Sequence, residues 1–461
     1  MEGLHRWRVA RSPIDLLRSA DPHLIAIAMT LFFFLLHLTI IGTPWPEDLE
    51  ACKATKERCA FVFDEAHYVP AVREMMAGRP ANNEHPPLSK WLMMLGMTLL
   101  GDNPYGWRIS SVVTGTLSVY VLYRLAALVL GSGWAGLAAA LLYAADVTSF
   151  NLSSIGVLDP PANLFLLLSA YLLLRERRLL AGLSMGLALL TKASAVFGVG
   201  ALLLYDILRS AKGSDPMERL YNGVLKAYVL LVVSAAVMLS GLAVYDVAYQ
   251  AFPSPFAHLD FILSYHSSLT FNCIGGITPF SCVHVNQDGS TVTVDLPLSW
   301  TLPGVTFQPM GFYVVTVSVD GTSYRPVAYY GMAAPLWWTS WVVMVYFLVR
   351  GIAAAWRQLS GQEGTASEER RLDLLLACWF GMNYLVYFPL AYMLHRWVYP
   401  FYFFQVLPFL AIGAVRLLVQ GRFERKVLYL LLAVTSFWFF TYYPVRSDLH
   451  IQLLRSLGLP A

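Results

Sequence analysis

The sequence predicts an all-α, polytopic membrane protein of about 11 spans, on three observations. Hydrophobic residues make up 57% of the 461 and charged residues only 13%, about half the 25% typical of soluble domains. Apolar runs recur between short polar breaks, and about 20 apolar residues suffice to cross a bilayer. Lys and Arg concentrate in alternate breaks, as they do on the cytoplasmic side of membrane proteins. So few charges cannot cover a soluble globule of this size, and they exclude a disordered chain or a coiled coil. A net charge of +3 gives no reason to expect nucleic acid as a partner.

Taken in order, the runs place spans near 22–42, 105–130, 134–151, 156–174, 179–194, 196–208, 224–246, 335–352, 372–392, 399–418 and 427–444. Arg6, Arg8, Arg11 and Arg18 precede the first run and no small-residue exit site follows it. Span 1 therefore reads as a retained anchor that starts in the cytoplasm. The stretch 179–208 is split by Lys192 and is either one tilted helix or two short ones. Eleven spans from an inside start put the C-terminus outside. That topology places Arg124, Arg175, Arg177, Arg178, Arg209, Lys212, Arg219, Lys226, Arg350, Arg357, Arg370, Arg371, Arg416, Arg422, Arg425 and Lys426 inside, with the four N-terminal arginines.

Within this single membrane-embedded unit (1–461), two long loops fall outside, 43–104 and 247–334. The first carries two juxtamembrane segments that read as short helices, Ala66–Ala77 and Leu88–Leu100, the latter lying at the membrane surface. In the second, TVTVDLPLSW and GFYVVTVSVDGTSYRPVAYY alternate apolar with polar residues around Asp-Gly, the pattern of a small β-hairpin lid. Cys52 with Cys59 and Cys273 with Cys282 lie in these loops. Disulfides within each loop suit an oxidising compartment, and a four-cysteine zinc site is the rival that their wide spacing disfavours. Cys378 falls in a span and reads as core.

Ionisable groups gather on the outer side. Asp64 and Glu65 open a helix, where capping and dipole stabilisation are the plain alternative to catalysis. His67, Tyr68, Glu84, His85 and Lys90 follow in the same loop. Glu84-His85-Pro86-Pro87 forms a rigid corner, because the two prolines enforce extended backbone and then allow a helix to begin. Lys90 and Arg108 read either as interfacial anchors or as anion ligands, and Asp159 either caps span 4 or faces the site. Lys192 lies within a long apolar run, where a charge is costly and functional by default. His395-Arg396 sits among Trp397, Tyr399 and Tyr402. An aromatic belt explains the rings but not the arginine. Acids and cations converging beside hydrocarbon suit a substrate with an anionic head and an apolar tail.

These residues resemble those of the dolichyl-phosphate-mannose protein O-mannosyltransferases, membrane glycosyltransferases of the GT-C fold. Asp64-Glu65 matches the family's Asp-Glu in the first external loop. His85-Pro86-Pro87 with Lys90 matches its His-Pro-Pro…Lys motif, and Arg108 its arginine at the start of span 2. GLSMGLALLTKASAVFG, PLSWTL and YYGMAAPLWWTSW resemble further stretches of the family. Two departures stand out. Asn83 occupies the position of a family Asp, and Glu84-His-Pro-Pro is closer to the Glu-Lys-Pro of the lipid A aminoarabinose transferases. The second loop also has no room for the β-trefoil of eukaryotic members, so the chain resembles compact archaeal or bacterial ones.

The resemblance implies an inverting transferase. It moves a hexose, mannose in this family, from a polyprenyl (dolichyl) phosphate to a hydroxyl on protein Ser or Thr, at the outer face of a prokaryotic plasma membrane. Glycosylation of a lipid or glycan in the manner of the aminoarabinose transferases is the alternative. A polyprenyl-lipid flippase is the rival from outside enzymology. Asp64 is expected as general base with Glu65 assisting or orienting it. Arg108, Lys192 and Arg396 are expected to hold the donor phosphate. His67, Tyr68, Glu84, His85, Lys90, Asp159, His395 and Tyr399 are expected to line the pocket. No cofactor is required on this reading, and a divalent ion bridging Asp64, Glu84 and a His is the less favoured variant. The expected partners are the lipid-linked donor, a protein or glycan acceptor and the bilayer; dimers occur in the family.

Overall fold

The computed structural model describes residues 21–459 apart from 56, 287, 303–309, 320–321, 333 and 363–367. The four N-terminal arginines lie outside the described residues.

Helix α1 (Pro22–Ile40) starts at Asp21, whose carboxylate accepts the His23 amide, with proline at the first helical position. Proline there costs nothing, because its missing N–H would have no partner. The first long loop then folds into α2 (Leu49–Thr55), α3 (Glu65–Met76) and α4 (Leu88–Leu100). The long α5 (Pro104–Leu130) follows. The expected span 134–151 is instead two helices, α6 (Gly133–Ala144) and α7 (Val147–Ser153), bent by 69°. Asp146 causes the bend: its Oδ1 accepts the amides of Thr148 and Ser149 and starts a new helix there.

Next come α8 (Asp159–Leu174), α9 (Arg178–Thr191), α10 (Ala195–Ser210) and the 34-residue α11 (Pro216–Tyr249). The stretch 179–208 is thus two helices, broken where Lys192 takes extended backbone. A side chain at Gly186 would sit 2.4 Å from Val237 Cβ, so this glycine is what lets α9 lie directly on α11.

The second long loop holds α12 (Pro255–Ser268), a three-stranded antiparallel sheet of β1 (Cys273–Ile274), β2 (Ser281–Val285) and β3 (Thr291–Asp295), the short α13 (Pro297–Thr301), and the antiparallel pair β4 (Met310–Val319) and β5 (Thr322–Gly331). The expected hairpin is β4–β5, whereas TVTVD pairs with β2 and PLSWT is helical. The cysteines form two disulfides, Cys52–Cys59 and Cys273–Cys282, in place of a zinc site. Cys378 is free and buried.

The chain ends with α14 (Pro335–Trp338), α15 (Ser340–Ser360), α16 (Glu368–Phe380), α17 (Leu407–Leu418), α18 (Arg422–Thr441) and α19 (Asp448–Ser456). Helix α16 runs on through two π-helical turns, Gly381–Leu385 and Pro389–Met393. A 3-10 turn, Pro400–Gln405, leads into α17. Among the described residues, five helices are long and apolar enough to cross a membrane, or six if the bent α6–α7 pair is one span; several further apolar helices are shorter. The chain is an integral, multi-pass membrane protein.

Candidate functional site

Two hollows meet at Lys192. One is a largely apolar cavity of about 510 Å³, walled by Val196, Phe197, Ile262, Leu263, Leu390, Leu394 and Trp397 among others, with Lys192, His85, His266 and Arg396 among its polar groups. The other is a polar pocket of about 360 Å³ that contains Asp64, His67, Tyr68, Asn82, Glu84, Tyr265 and Tyr399. His85, Lys192, His266 and Tyr402 line both.

Asp64 stands at the N-cap position of α3 without using its side chain as a cap. The carboxylate is therefore spared for the pocket, and the plain capping reading fails. Phe63 before it has a left-handed backbone (φ 54°), an uncommon state for a residue with a Cβ. Its ring is pinned against Phe312 at 4.7 Å and Phe401 at 5.0 Å. Burial holds the Asp64 carboxyl above its ordinary range; the charge of Lys192 and a hydrogen bond from Tyr68 oppose the rise. Such a carboxyl is a stronger base than an exposed one. The Tyr68 hydroxyl stays protonated, its pKa pushed well up by burial and by Asp64.

Glu65 is not a pocket residue. It is sealed from solvent, where its carboxylate accepts Arg108 Nε at 2.7 Å, Arg108 Nη2 at 2.9 Å, and the amides of Val62 and Gly156. Arg108 Nη1 donates to the carbonyls of Ile41 and Thr43. The expected role of Arg108 in phosphate binding is thus corrected, and of the roles expected for Glu65 only the orienting of Asp64 fits this burial. The guanidinium is sealed from solvent and lines neither hollow, and the pair fixes the start of α3.

Lys192 Nζ bonds Asp159 Oδ1 at 2.6 Å and lies over the rings of Phe401 (5.2 Å) and Tyr402 (5.5 Å). Asp159 is buried behind it as a counter-ion rather than a pocket wall. Lys90 is also displaced from its expected place. Fully buried, it donates to the carbonyls of Ala81, Asn82 and His85, so it shapes the corner without lining the pocket. His395 is exposed with φ 48°, stacks on Phe271 and lines neither hollow.

Arg396 reaches the apolar cavity, braced by the carbonyls of Leu269 and Trp397. His266 completes the brace: its Nδ1 accepts Arg396 Nη2 at 3.2 Å while Nε2 donates to the Glu84 carbonyl at 3.0 Å. Burial and Arg396 push the His266 imidazole down in pKa, which preserves the neutral tautomer that this bridge needs. Burial likewise holds His85 well below its ordinary value, followed by the effect of His266. Sequence reasoning missed His266 and Tyr265, which lie in the polar SYHSS stretch. It assigned Tyr402 to the aromatic belt alone. The only signal was a histidine and a tyrosine outside any apolar run. Among the described residues, no group of three or more His, Cys, Asp or Glu side chains is arranged to hold a metal ion.

Residues 84–238 match the sequence family described as dolichyl-phosphate-mannose-protein mannosyltransferase. The chain is 26% identical over 365 residues to the polyprenol-phosphate-mannose–protein mannosyltransferase of Corynebacterium glutamicum, covering 62% of this chain and 66% of that protein. It is 34% identical over 105 residues to the protein of the same name from Mycolicibacterium smegmatis (strain ATCC 700084), covering 21% and 20%. It thus spans just under two thirds of the first of these relatives and a fifth of the second. The undecaprenyl phosphate-alpha-4-amino-4-deoxy-L-arabinose arabinosyl transferase of Pseudomonas aeruginosa (strain LESB58) is 32% identical over 152 residues, 29% of this chain and 28% of that one.

In three dimensions, the S. cerevisiae protein O-mannosyltransferase Pmt1-Pmt2 complex bound to the sugar donor matches 94% of this chain and 92% of its own at TM-score 0.58 and 12% identity. ArnT from Cupriavidus metallidurans bound to undecaprenyl phosphate matches 93% and 66% at TM-score 0.51 and 14% identity. The chain thus shares the GT-C fold of these membrane glycosyltransferases, and its residues 84–238 are similar in sequence to the dolichyl-phosphate-mannose-protein mannosyltransferases.

Proposed function

We propose that this protein is an inverting glycosyltransferase that moves mannose from a polyprenyl phosphate to a Ser or Thr hydroxyl of a protein. The site faces the outside of a prokaryotic plasma membrane. One observation carries the reading: an apolar cavity with two cations at its polar end opens, through Lys192, onto a pocket with an elevated carboxyl. The cavity suits the lipid chain, Lys192 and Arg396 the phosphate, and the polar pocket the sugar and the incoming hydroxyl. The names of the relatives point to the same donor class.

In the reaction, the acceptor oxygen attacks the anomeric carbon and its proton passes to Asp64. The bond from that carbon to the phosphate oxygen breaks, and the electron pair leaves with the phosphate. Charge grows on the departing group, where preorganised cations lower the barrier most. A single displacement inverts the anomeric centre. Glu84, tied at Oε1 by the Asn82 amide at 2.6 Å, and His67 contact the sugar. Arg396 and Lys192, the latter backed by Asp159, are the groups proposed to hold the phosphate, and the proposed transfer uses no cofactor or metal.

The test is direct. Purified protein in lipid nanodiscs is given labelled polyprenyl-phosphate mannose and a Thr-containing peptide. Labelled peptide supports the reading. Transfer to a lipid or glycan but not to peptide moves the protein to the aminoarabinose-transferase type. Lipid translocation without any product makes it a flippase.

A further inference from the structure

We propose that Asp246 and His258 are a positioning pair that holds Glu84 in the transfer pocket, a proposal that rests on the reading of that pocket given above. The corner that carries Glu84 belongs to no helix or strand, and its five consecutive carbonyls, Ala81 to His85, are all taken by side-chain donors. Lys90 takes those of Ala81, Asn82 and His85, and His266 that of Glu84. The carbonyl of Asn83, immediately before Glu84, accepts His258 Nε2 at 3.0 Å.

A carbonyl can only accept, so Nε2 carries a proton. On the other side of the ring, Nδ1 meets Asp246 Oδ1 at 2.7 Å, a contact that requires a second proton shared across it. The imidazole is fully buried and stacks on Phe252 at 4.3 Å. Its plane, tautomer and tilt are therefore set from α11, and its one outward hydrogen bond is spent on the backbone of the pocket loop. A buried carboxylate–imidazole pair is dear in desolvation, and an apolar pair would fill the same volume at less cost. What the polar pair supplies is direction, a fixed donor on one named carbonyl. Tyr245 reinforces it by donating to Asn83 Oδ1 at 2.7 Å.

The test separates the two ring nitrogens. Gln at 258 places an amide N–H near the Nε2 position and keeps the Asn83 bond; Asn at 258 reaches only the Nδ1 position and loses it. His258→Asn is expected to lower kcat for mannosyl transfer about 10- to 100-fold with the donor KM unchanged, while His258→Gln stays within about threefold of wild type. In a Glu84→Ala background, His258→Asn adds no further loss, because the two act as one unit. Hydrogen exchange of amides 81–85 gives a readout that does not depend on transfer: protection falls in His258→Asn and Asp246→Ala but not in His258→Gln. Equal behaviour of the Asn and Gln variants, additivity with Glu84→Ala, or unchanged protection in Asp246→Ala overturns the pair's role. Absence of transfer by the wild type overturns the functional reading instead, and the exchange comparison still decides this one.

Discussion

Arg108 and Glu65 meet in a two-point ion pair, Nε to Oε1 at 2.7 Å and Nη2 to Oε2 at 2.9 Å, with both side chains sealed from solvent. Removing one partner of such a pair leaves a buried charge without compensation, at a cost of about 3–5 kcal/mol. Arg108→Ala is therefore expected to lower Tm and the yield of folded protein. Donor affinity, measured by titration on the folded fraction, is expected to stay as in the wild type. Selective loss of donor binding at unchanged Tm would return Arg108 to the phosphate site.

Asp64→Asn is expected to abolish transfer, by at least about 100-fold for loss of a general base, and to raise Tm. The sign follows from the elevated carboxyl. A folded-state pKa above the unfolded one means that the native state prefers the protonated form. The ionised carboxylate then weakens the fold as pH rises through the folded-state value. The Tm advantage of the variant should therefore be absent below the ordinary carboxylate pKa, grow with pH, and level off above the raised value. Thermal melts across that range check it, and a lower Tm at neutral pH contradicts it.

Tyr68→Phe removes the hydrogen bond that favours ionised Asp64. The carboxyl then rises further. The acid limb of the kcat/KM profile should move to higher pH while the donor KM holds. A limb that stays put, or moves down, would show that Asp64 is not the titrating base.

Arg396→Ala should weaken donor binding about 10- to 100-fold, the worth of a charge-assisted hydrogen bond of about 1.5–3 kcal/mol. His266→Phe, which deletes the brace on Nη2, should weaken it less. The double variant should fall no lower than Arg396→Ala alone. Tight-binding assays with polyprenyl phosphate measure all three, and full additivity would mean that His266 and Arg396 act independently.

Much of this architecture is readable from residue order. The apolar periodicity, the two loops, the disulfide pairs, α3, α4 and the β4–β5 hairpin follow from local pattern. Asp64, Glu84, Lys192 and Arg396 could be singled out because charge in an apolar chain demands an explanation. What the pattern could not say is which charges face each other. Glu65 and Asp64 are neighbours with the same chemistry, yet one turn of backbone sends the first into the core and the second into the pocket. Lys90 and Lys192 likewise look alike in sequence. The first is consumed by three carbonyls and the second stands at the junction of the hollows. His266 went unseen because its partners, Glu84 and Arg396, lie 182 and 130 residues away.

The pocket draws Asp64 from the beginning of the chain and Tyr399 to Tyr402 from near its end. During synthesis the carboxylate emerges hundreds of residues ahead of Arg396 and the aromatic wall. A nascent chain thus presents Asp64 and Lys192 without Arg396 or the aromatic wall, and the pocket closes only when the last third of the protein packs against the first. On the proposed reading, a half-made molecule has no complete donor site.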